Sequence, residues 1–212
     1  MSKTGQFITF EGGEGSGKST QIKRLAQLLT DTGHHCLVTR EPGGTPISDR
    51  IRAILLHPEN DAMVPLAELF LYEASRAQHV EEKIRPALKA GTTVLCDRFA
   101  DSTVAYQSAG RKLPMALIQS LNRAATSNLT PNLTVILDIK PETGIARAKG
   151  ATALSEQRFE HEALAFHRKV RKAFLDMAKK KPRRYLVIDA SLPADAVFEK
   201  LLAALHKRKL LT

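Results

Sequence analysis

Apolar residues alternate between two patterns along this chain. Short runs rich in β-branched and aliphatic side chains occur at Phe7–Phe10, Cys36–Thr39, Thr92–Cys96, Leu133–Leu137 and Tyr185–Ile188. Each is long enough for a buried strand and too short for a helix. Between them apolar positions recur at helical spacing: Ile22, Leu25, Leu28 and Leu29 stopped by Gly33, then Ile47, Ile51, Ile54 and Leu55 stopped by Pro58. A long helical segment runs from Pro65 to Ala90, with Pro86 able to kink or restart it. Pro114 opens a helix expected to turn Leu117 and Leu121 inward. A short segment at 141–149, a long basic one at 156–181 and a last one at 193–208 (Val197, Leu201, Leu202 and Leu205 on its apolar face) complete the pattern. Five strands separated by helices predict an α/β fold: a central five-stranded parallel sheet with helices on both faces. In such sheets ligands bind outside the carboxyl ends of the strands. The polar residues that end the runs are therefore the place to look for chemistry.

The first run ends in a glycine-rich stretch, Phe10-Glu11-Gly12-Gly13-Glu14-Gly15-Ser16-Gly17-Lys18-Ser19-Thr20. Gly12, four residues, then Gly17-Lys18-Ser19 is the full phosphate-binding P-loop pattern. A turn whose backbone N–H groups converge on a phosphate chain has no room for side chains there. Lys18 is placed to reach the β- and γ-phosphates, and Ser19 offers a hydroxyl to Mg²⁺. The helix that follows aims the positive end of its dipole at the anion. A chance glycine turn would not come with strand and helix in this order, so a nucleoside triphosphate and Mg²⁺ are implied.

The second run enters Thr39-Arg40-Glu41-Pro42-Gly43-Gly44-Thr45. Arg40 at a strand end beside a tight turn suits a phosphate; a turn that needs Pro-Gly-Gly for its backbone alone gives the same residues. The Glu41–Pro42 bond is a candidate for the cis form. The third run ends in Asp97-Arg98-Phe99. Asp97 can sit near Mg²⁺, directly or through water, and Arg98 can bridge donor and acceptor phosphates; an ion pair closing the strand is the plainer alternative. Tyr72 and Arg76 lie at i and i+4 on one helix face, where a ring can stack on a base and a cation hold its phosphate. A core tyrosine with a solvent arginine has the same spacing.

At 212 residues one domain spanning 1–212 is expected. The net charge of +10, from 32 basic and 22 acidic residues, admits a nucleic-acid-binding ATPase, but a polyphosphate substrate needs cationic surroundings too. The two cysteines, Cys36 and Cys96, fall in predicted strands and read as small core residues. No metal-ligand spacing stands out, no apolar stretch reaches membrane-spanning length, and a cytoplasmic protein is expected. A switch GTPase would carry an Asn-Lys-x-Asp stretch, and none is present. The basic run from Arg168 to Arg184 reads as a solvated helix face.

Four segments together resemble the thymidylate kinase family: Phe10 to Thr20, Thr39 to Thr45, the stretch from Ala67 to His79 with Tyr72 and Arg76, and Asp97-Arg98-Phe99-Ala100-Asp101-Ser102-Thr103-Val104-Ala105-Tyr106-Gln107. The likeness runs in order from about Gln6 to the C-terminal helix. It implies a P-loop NTPase fold and transfer of the ATP γ-phosphate to dTMP, giving dTDP and ADP. The neighbouring alternative is a P-loop kinase for another nucleoside monophosphate. By the same resemblance Arg40, Arg76 and Arg98 hold the dTMP phosphate, Tyr72 stacks on thymine, and Thr103 and Gln107 lie near the base. Tyr106 sits against the sugar and crowds out a 2′-hydroxyl; Glu14 reaches the acceptor's sugar hydroxyl. ATP is held by Gly12, Gly13, Glu14, Gly15, Ser16, Gly17, Lys18, Ser19 and Thr20, together with Arg147 and Lys149. A mobile lid is expected at 147–158. The family places a basic residue either in the P-loop or in the lid; position 15 is glycine, so this chain resembles the lid version, with Arg158 the first candidate, then Lys149 and Arg147. Two rings differ from the commoner family residues: Tyr72 stands for phenylalanine and Phe99 for a polar ring. A homodimer is expected from the resemblance, and neither a nucleic acid nor a membrane is an expected partner.

Overall fold

A computed structural model describes residues 5–148 and 162–210 of the chain. Five strands, β1 (Phe7–Glu11), β2 (Cys36–Arg40), β3 (Thr93–Asp97), β4 (Leu133–Asp138) and β5 (Tyr185–Asp189), form one sheet in the order β2-β3-β1-β4-β5. Every pairing is parallel. The strands therefore end together at one edge, and the register sets Phe10 beside Asp97 and Arg40 beside the same Asp97. The central strand β1 is buried throughout. Its alternation of Phe7, Ile8, Thr9 and Phe10 places apolar side chains on both faces, as a sheet covered on both sides requires.

Helices α1 (Lys18–Asp31) and α9 (Ala194–Lys207) cover one face; Ile22, Leu25, Leu201 and Leu205 pack there on Ile8, Phe10, Leu95 and Val135. On the other face lie two groups, the first of them built on α8 (Leu164–Lys180). One joins Leu55, Tyr106, Ile136, Phe166 and Phe174. The other joins Phe7, Val80, Ile84, Leu88 and Phe99. The remaining helices are α2 (Pro46–Leu56), α3 (Pro65–His79), α4 (Arg85–Lys89), α5 (Ala100–Thr103), α6 (Met115–Thr126) and α7 (Pro141–Ala148).

The long helical segment from Pro65 is continuous but widens to a π-helical turn at Val80–Ile84, where the Arg85 N–H donates to the Val80 carbonyl. Pro86 brings no N–H to the ladder and its ring crowds the preceding turn, so the helix opens rather than breaks. A second π-helical stretch, Val104–Gly110, continues α5 and carries Tyr106 and Gln107. Apolar spacing alone does not reveal that widening.

Three expectations need correction. In α6 it is Ile118 and Asn122 that are buried, while Leu117 and Leu121 are only half-buried. Asn122 turns inward because its side-chain oxygen accepts a hydrogen bond from buried Arg76. Helix α8 begins at Leu164, after an extended Ala163, and not at Glu156; residues 156–161 lie outside the described part. Cys96 is buried as expected, but Cys36 starts the edge strand β2 and is half-buried, and burial raises its thiol to about 11.

Leu201 is fully buried between α9 and the sheet. Leu201→Ala is expected to cost about 2–5 kcal/mol of unfolding free energy in a denaturant titration. Met115→Ala, at a side chain that is 42% exposed, is expected to change it by less than about 0.5 kcal/mol. Equal effects would contradict this assignment of the core.

Candidate active site

β1 leads directly into the glycine loop. Gly12 lies at φ +142°, and a Cβ there would fall 2.5 Å from the Leu137 carbonyl oxygen. Gly17, at φ +83°, caps α1. The loop folds over Lys18, whose Nζ donates to the carbonyls of Gly13 at 3.1 Å and Gly12 at 3.3 Å and to Ser16 Oγ at 3.4 Å. Burial, and then Arg98, lower the Lys18 pKa, against Asp97, Glu14 and Glu11, which raise it. Ser19 and Thr20 are exposed on the first turn of α1. The Ser19 hydroxyl donates to Asp97 Oδ2 at 3.0 Å, so two hard oxygen donors stand side by side at the mouth of the loop.

Arg98 follows Asp97 at φ +68°, a left-handed conformation that disfavours a side chain. Its guanidinium donates to the Gly12 carbonyl at 3.1 Å, to Ser102 Oγ at 3.3 Å and to Glu14 Oε1 at 2.7 Å. Tyr106 donates its phenolic O–H to the same Glu14 oxygen at 3.2 Å, and its ring lies 5.1 Å from the Arg98 guanidinium carbon. Burial by itself pushes Glu14 up; Arg98, Lys18 and the Tyr106 hydrogen bond outweigh it and hold the carboxyl below its ordinary range. Glu14 is therefore an anion between two cations.

Beside this cluster opens a cavity of about 120 Å³. Glu14, Arg98 and Tyr106 form its wall toward the P-loop, and Tyr72, Thr103 and Gln107 also line it. Arg76, 1% exposed, lies beneath the cavity and is not the solvent arginine its spacing allowed. Its Nε donates to Glu41 at 2.8 Å, and its Nη1 donates to Glu73, Thr103 and Asn122, each at 2.9 Å. Glu41 Oε1 in turn lies 3.1 Å from His79 Nδ1, so the turn after β2 is tied to α3 by a buried carboxylate. The Glu41–Pro42 peptide within that turn is cis. Gln107 donates its amide nitrogen to Glu68 at 2.8 Å. A carboxylate can only accept, so the amide orientation is forced and Oε1 is left as the acceptor.

Two residues named from the sequence stand apart from this cluster. Arg40 is half-exposed, pairs with Asp49 at 3.2 Å and does not line the cavity. Arg52 lines it instead, with a hydrogen bond to the Pro42 carbonyl at 3.0 Å. Arg147 ends α7 with its guanidinium on the carbonyls of Ala190 at 2.8 Å and Ser191 at 3.3 Å, beyond β5. Its guanidinium is held on the loop after that strand, while its Cβ borders the P-loop, 3.1 Å from where a Cβ on Gly15 would lie. Lys149 and Arg158 lie outside the described residues.

Sequence reasoning assigned no role to Glu11, Glu41 or Arg52. Glu11 carried a usable signal, a carboxylate inside an otherwise apolar buried strand. Arg52 did not, since nothing distinguishes it from Arg50 one turn face away.

Gly15 meets α7 edge on. At φ +63° a Cβ on it would lie 2.0 Å from the Gly144 carbonyl oxygen, and a Cβ on Gly144 would lie 2.3 Å from the Glu14 carbonyl oxygen. The P-loop and α7 therefore touch through two bare backbones, which leaves position 15 closed to a basic side chain.

A P-loop beside a cation-walled cavity, with one guanidinium touching both, defines a P-loop kinase acting on a nucleoside monophosphate. The comparisons carry this to a family. Residues 10–201 match the family model described as thymidylate kinase. The chain is 52% identical to thymidylate kinase of Syntrophotalea carbinolica, over 92% of each chain. It is also 52% identical to that of Geobacter sulfurreducens, over 96% of this chain and 100% of the other. The crystal structure of thymidylate kinase from Ehrlichia chaffeensis, 33% identical, superposes with a TM-score of 0.77, covering 95% of this chain and 99% of that one. The chain belongs to the thymidylate kinase family, and its reaction is phosphorylation of dTMP with ATP as donor.

Gly15→Ala is expected to lower the melting temperature and to reduce kcat by about tenfold or more, because it forces a left-handed alanine, costing about 1–2 kcal/mol, onto the Gly144 backbone. Thermal melts and steady-state ADP release check both. An unchanged kcat and melting temperature would show that the loop and α7 are not in close contact.

Proposed function

We propose that dTMP occupies the cavity with its phosphate toward Arg98 and its base toward Gln107, and that ATP lies along the P-loop with its γ-phosphate facing Arg98. One observation carries this reading: Arg98 hydrogen-bonds the Gly12 carbonyl of the P-loop and also lines the acceptor cavity. A single guanidinium thus borders the donor and acceptor sides. Phosphoryl transfer requires mostly alignment and charge neutralisation, for which such a cation is worth about 10³–10⁵ in rate.

The roles follow from chemistry and position. Lys18 gives up its contacts with loop carbonyls for the β- and γ-phosphates. Ser19 and Asp97 fit Mg²⁺, which takes oxygen ligands and usually keeps several waters, so Asp97 acts directly or through water. Bound there, the ion neutralises phosphate charge. Arg98, with Arg76 and Arg52 nearby, holds the acceptor phosphate; Arg40 is the less suited cation because Asp49 engages it. Tyr72 stacks on thymine. Gln107 Oε1 accepts from the N3–H of the base, and Thr103 packs beside it. Glu14 takes the acceptor's sugar hydroxyl, while Tyr106 occupies the space a 2′-hydroxyl would need. One methyl group is worth about 1–3 kcal/mol of discrimination, so preference over dUMP is partial. Arg158, then Lys149 and Arg147, bring further charge to the transferring phosphate.

We also read the whole chain as one kinase domain acting in the cytoplasm as a homodimer. Support for the last comes from Ile47 and Ile54 on α2 and Leu66 and Phe70 on α3, large apolar side chains that are 42–52% exposed on adjoining helices. Among the described residues no helix is long and apolar enough to cross a membrane.

The sugar assignment is tested with Tyr106→Leu, after a melt confirms folding. The ratio of kcat/KM for dTMP over its ribonucleotide analogue is expected to fall by about tenfold or more. An unchanged ratio would remove Tyr106 as the sugar gate.

A further inference from the structure

Glu11 ends β1 fully buried, and its carboxylate makes three hydrogen bonds to one short segment. Oε1 accepts from the backbone N–H of Phe99 at 2.8 Å and of Ser102 at 3.3 Å. Oε2 accepts from the Ser102 hydroxyl at 2.6 Å. No substrate-lining role falls to Glu11 itself, since it does not border the acceptor cavity. What it touches is the chain on either side of the Arg98 guanidinium.

Arg98 sits in a left-handed conformation that persists only where its surroundings over-determine it. The peptide before it is held by β1, because the Arg98 N–H donates to the Phe10 carbonyl at 2.9 Å. The peptide after it is held by the next residue of the same strand, because the Phe99 N–H donates to Glu11. Adjacent positions of β1 thus clamp Arg98 from both sides. The side chain is governed in the same way. The Ser102 hydroxyl has one hydrogen and gives it to Glu11, which leaves its lone pairs to accept from Arg98 Nη1 at 3.3 Å.

We propose that Glu11 is a positioning residue for phosphoryl transfer: it fixes the backbone of Arg98 and the orientation of the Ser102 hydroxyl, and through them aims the Arg98 guanidinium between the P-loop and the acceptor cavity. Packing alone would be served better by an apolar side chain. Burial, then the charge of Asp101, raises the Glu11 carboxyl to about 7, so its presence inside the core opposes stability at neutral pH. Protonated or ionised, Oε1 still accepts from the two backbone N–H groups, so the clamp is a matter of hydrogen-bond geometry more than of charge.

The proposal rests on Arg98 acting at the site, and the test separates the two. Steady-state kinetics with ATP, Mg²⁺ and dTMP are measured for Glu11→Ala, Glu11→Gln, Arg98→Ala and the double variant Glu11→Ala/Arg98→Ala. Glu11→Ala is expected to lower kcat about 100-fold with KM for ATP within about threefold, since misaimed groups cost turnover while the donor loop is left intact. Glu11→Gln keeps an acceptor for both N–H groups but turns a donor NH2 toward the Ser102 hydroxyl, and is expected to lose no more than about tenfold in kcat, far less than Glu11→Ala. The double variant is expected to be no slower than Arg98→Ala alone, because Glu11 acts only through that residue. Where Glu11→Ala does not fold, Ser102→Ala cuts the hydroxyl link; Ser102 also lines the cavity, so what identifies the link is an expected loss of about tenfold in kcat that is absent on the Arg98→Ala background. Three results overturn the proposal: a folded Glu11→Ala (or its Ser102→Ala substitute) with wild-type kcat, a Glu11→Gln as slow as Glu11→Ala, or losses that multiply in the double variant. Wild-type kcat in Arg98→Ala would overturn the reading of Arg98 beneath it.

Discussion

The parallel pairing of β1 with β3 is the constraint on which the site depends. Its register sets Phe10 beside Asp97, so the strand that opens into the P-loop and the strand that ends in Asp97-Arg98 finish side by side. Two consequences follow from that alignment alone. Ser19 at the start of α1 meets Asp97, and Arg98 meets the Gly12 carbonyl and Glu14. Donor and acceptor groups are then a few ångströms apart before any substrate enters. That is the arrangement a reaction governed by alignment needs.

Such a site gathers charge in the core, and the structure offsets each cation with acceptors. Arg76 is shared by Glu41, Glu73, Thr103 and Asn122; Arg98 is shared by Glu14, Ser102 and a P-loop carbonyl. Unpaired, either guanidinium would carry a desolvation penalty of several kcal/mol. Paired, they are locked in one orientation by residues from α3, α5, α6, the P-loop and the turn after β2. Rigidity at the site is thus produced by the same hydrogen bonds that make the buried charges tolerable. The Gly15–Gly144 contact adds a second fixed point, where the P-loop rests against α7 with no side chain between them.

Much of this was legible in the sequence, for physical reasons. Five apolar runs gave five strands because a sheet covered by helices on both faces favours apolar side chains on each. The P-loop is legible because its chemistry dictates glycine at set places. The parts that were not legible depend on contacts between distant segments. Arg40 and Arg52 are both arginines near one turn, and only the fold shows that Asp49 draws the first outward while the second lines the cavity. Nothing in the sequence marks Asn122 as inward, and only the fold shows that buried Arg76 gives it a partner. The π-helical stretch carrying Tyr106 and Gln107 has no signature in apolar spacing. Glu11 is masked by the glycine motif that follows it, although a carboxylate in an apolar strand is itself a signal that a partner awaits it.

A cavity shaped by Tyr106 and Gln107 for thymidylate turns over deoxythymidine monophosphate and refuses ribonucleotides. ADP release from ATP and Mg²⁺ measures this with dTMP, dUMP, dGMP, dCMP, AMP, GMP, UMP and CMP offered separately. A strong response to dTMP, a weaker one to dUMP and a negligible one to every ribonucleotide is the expected result. Comparable turnover of UMP and dTMP, or no response to dTMP from folded protein that binds ATP, would contradict it.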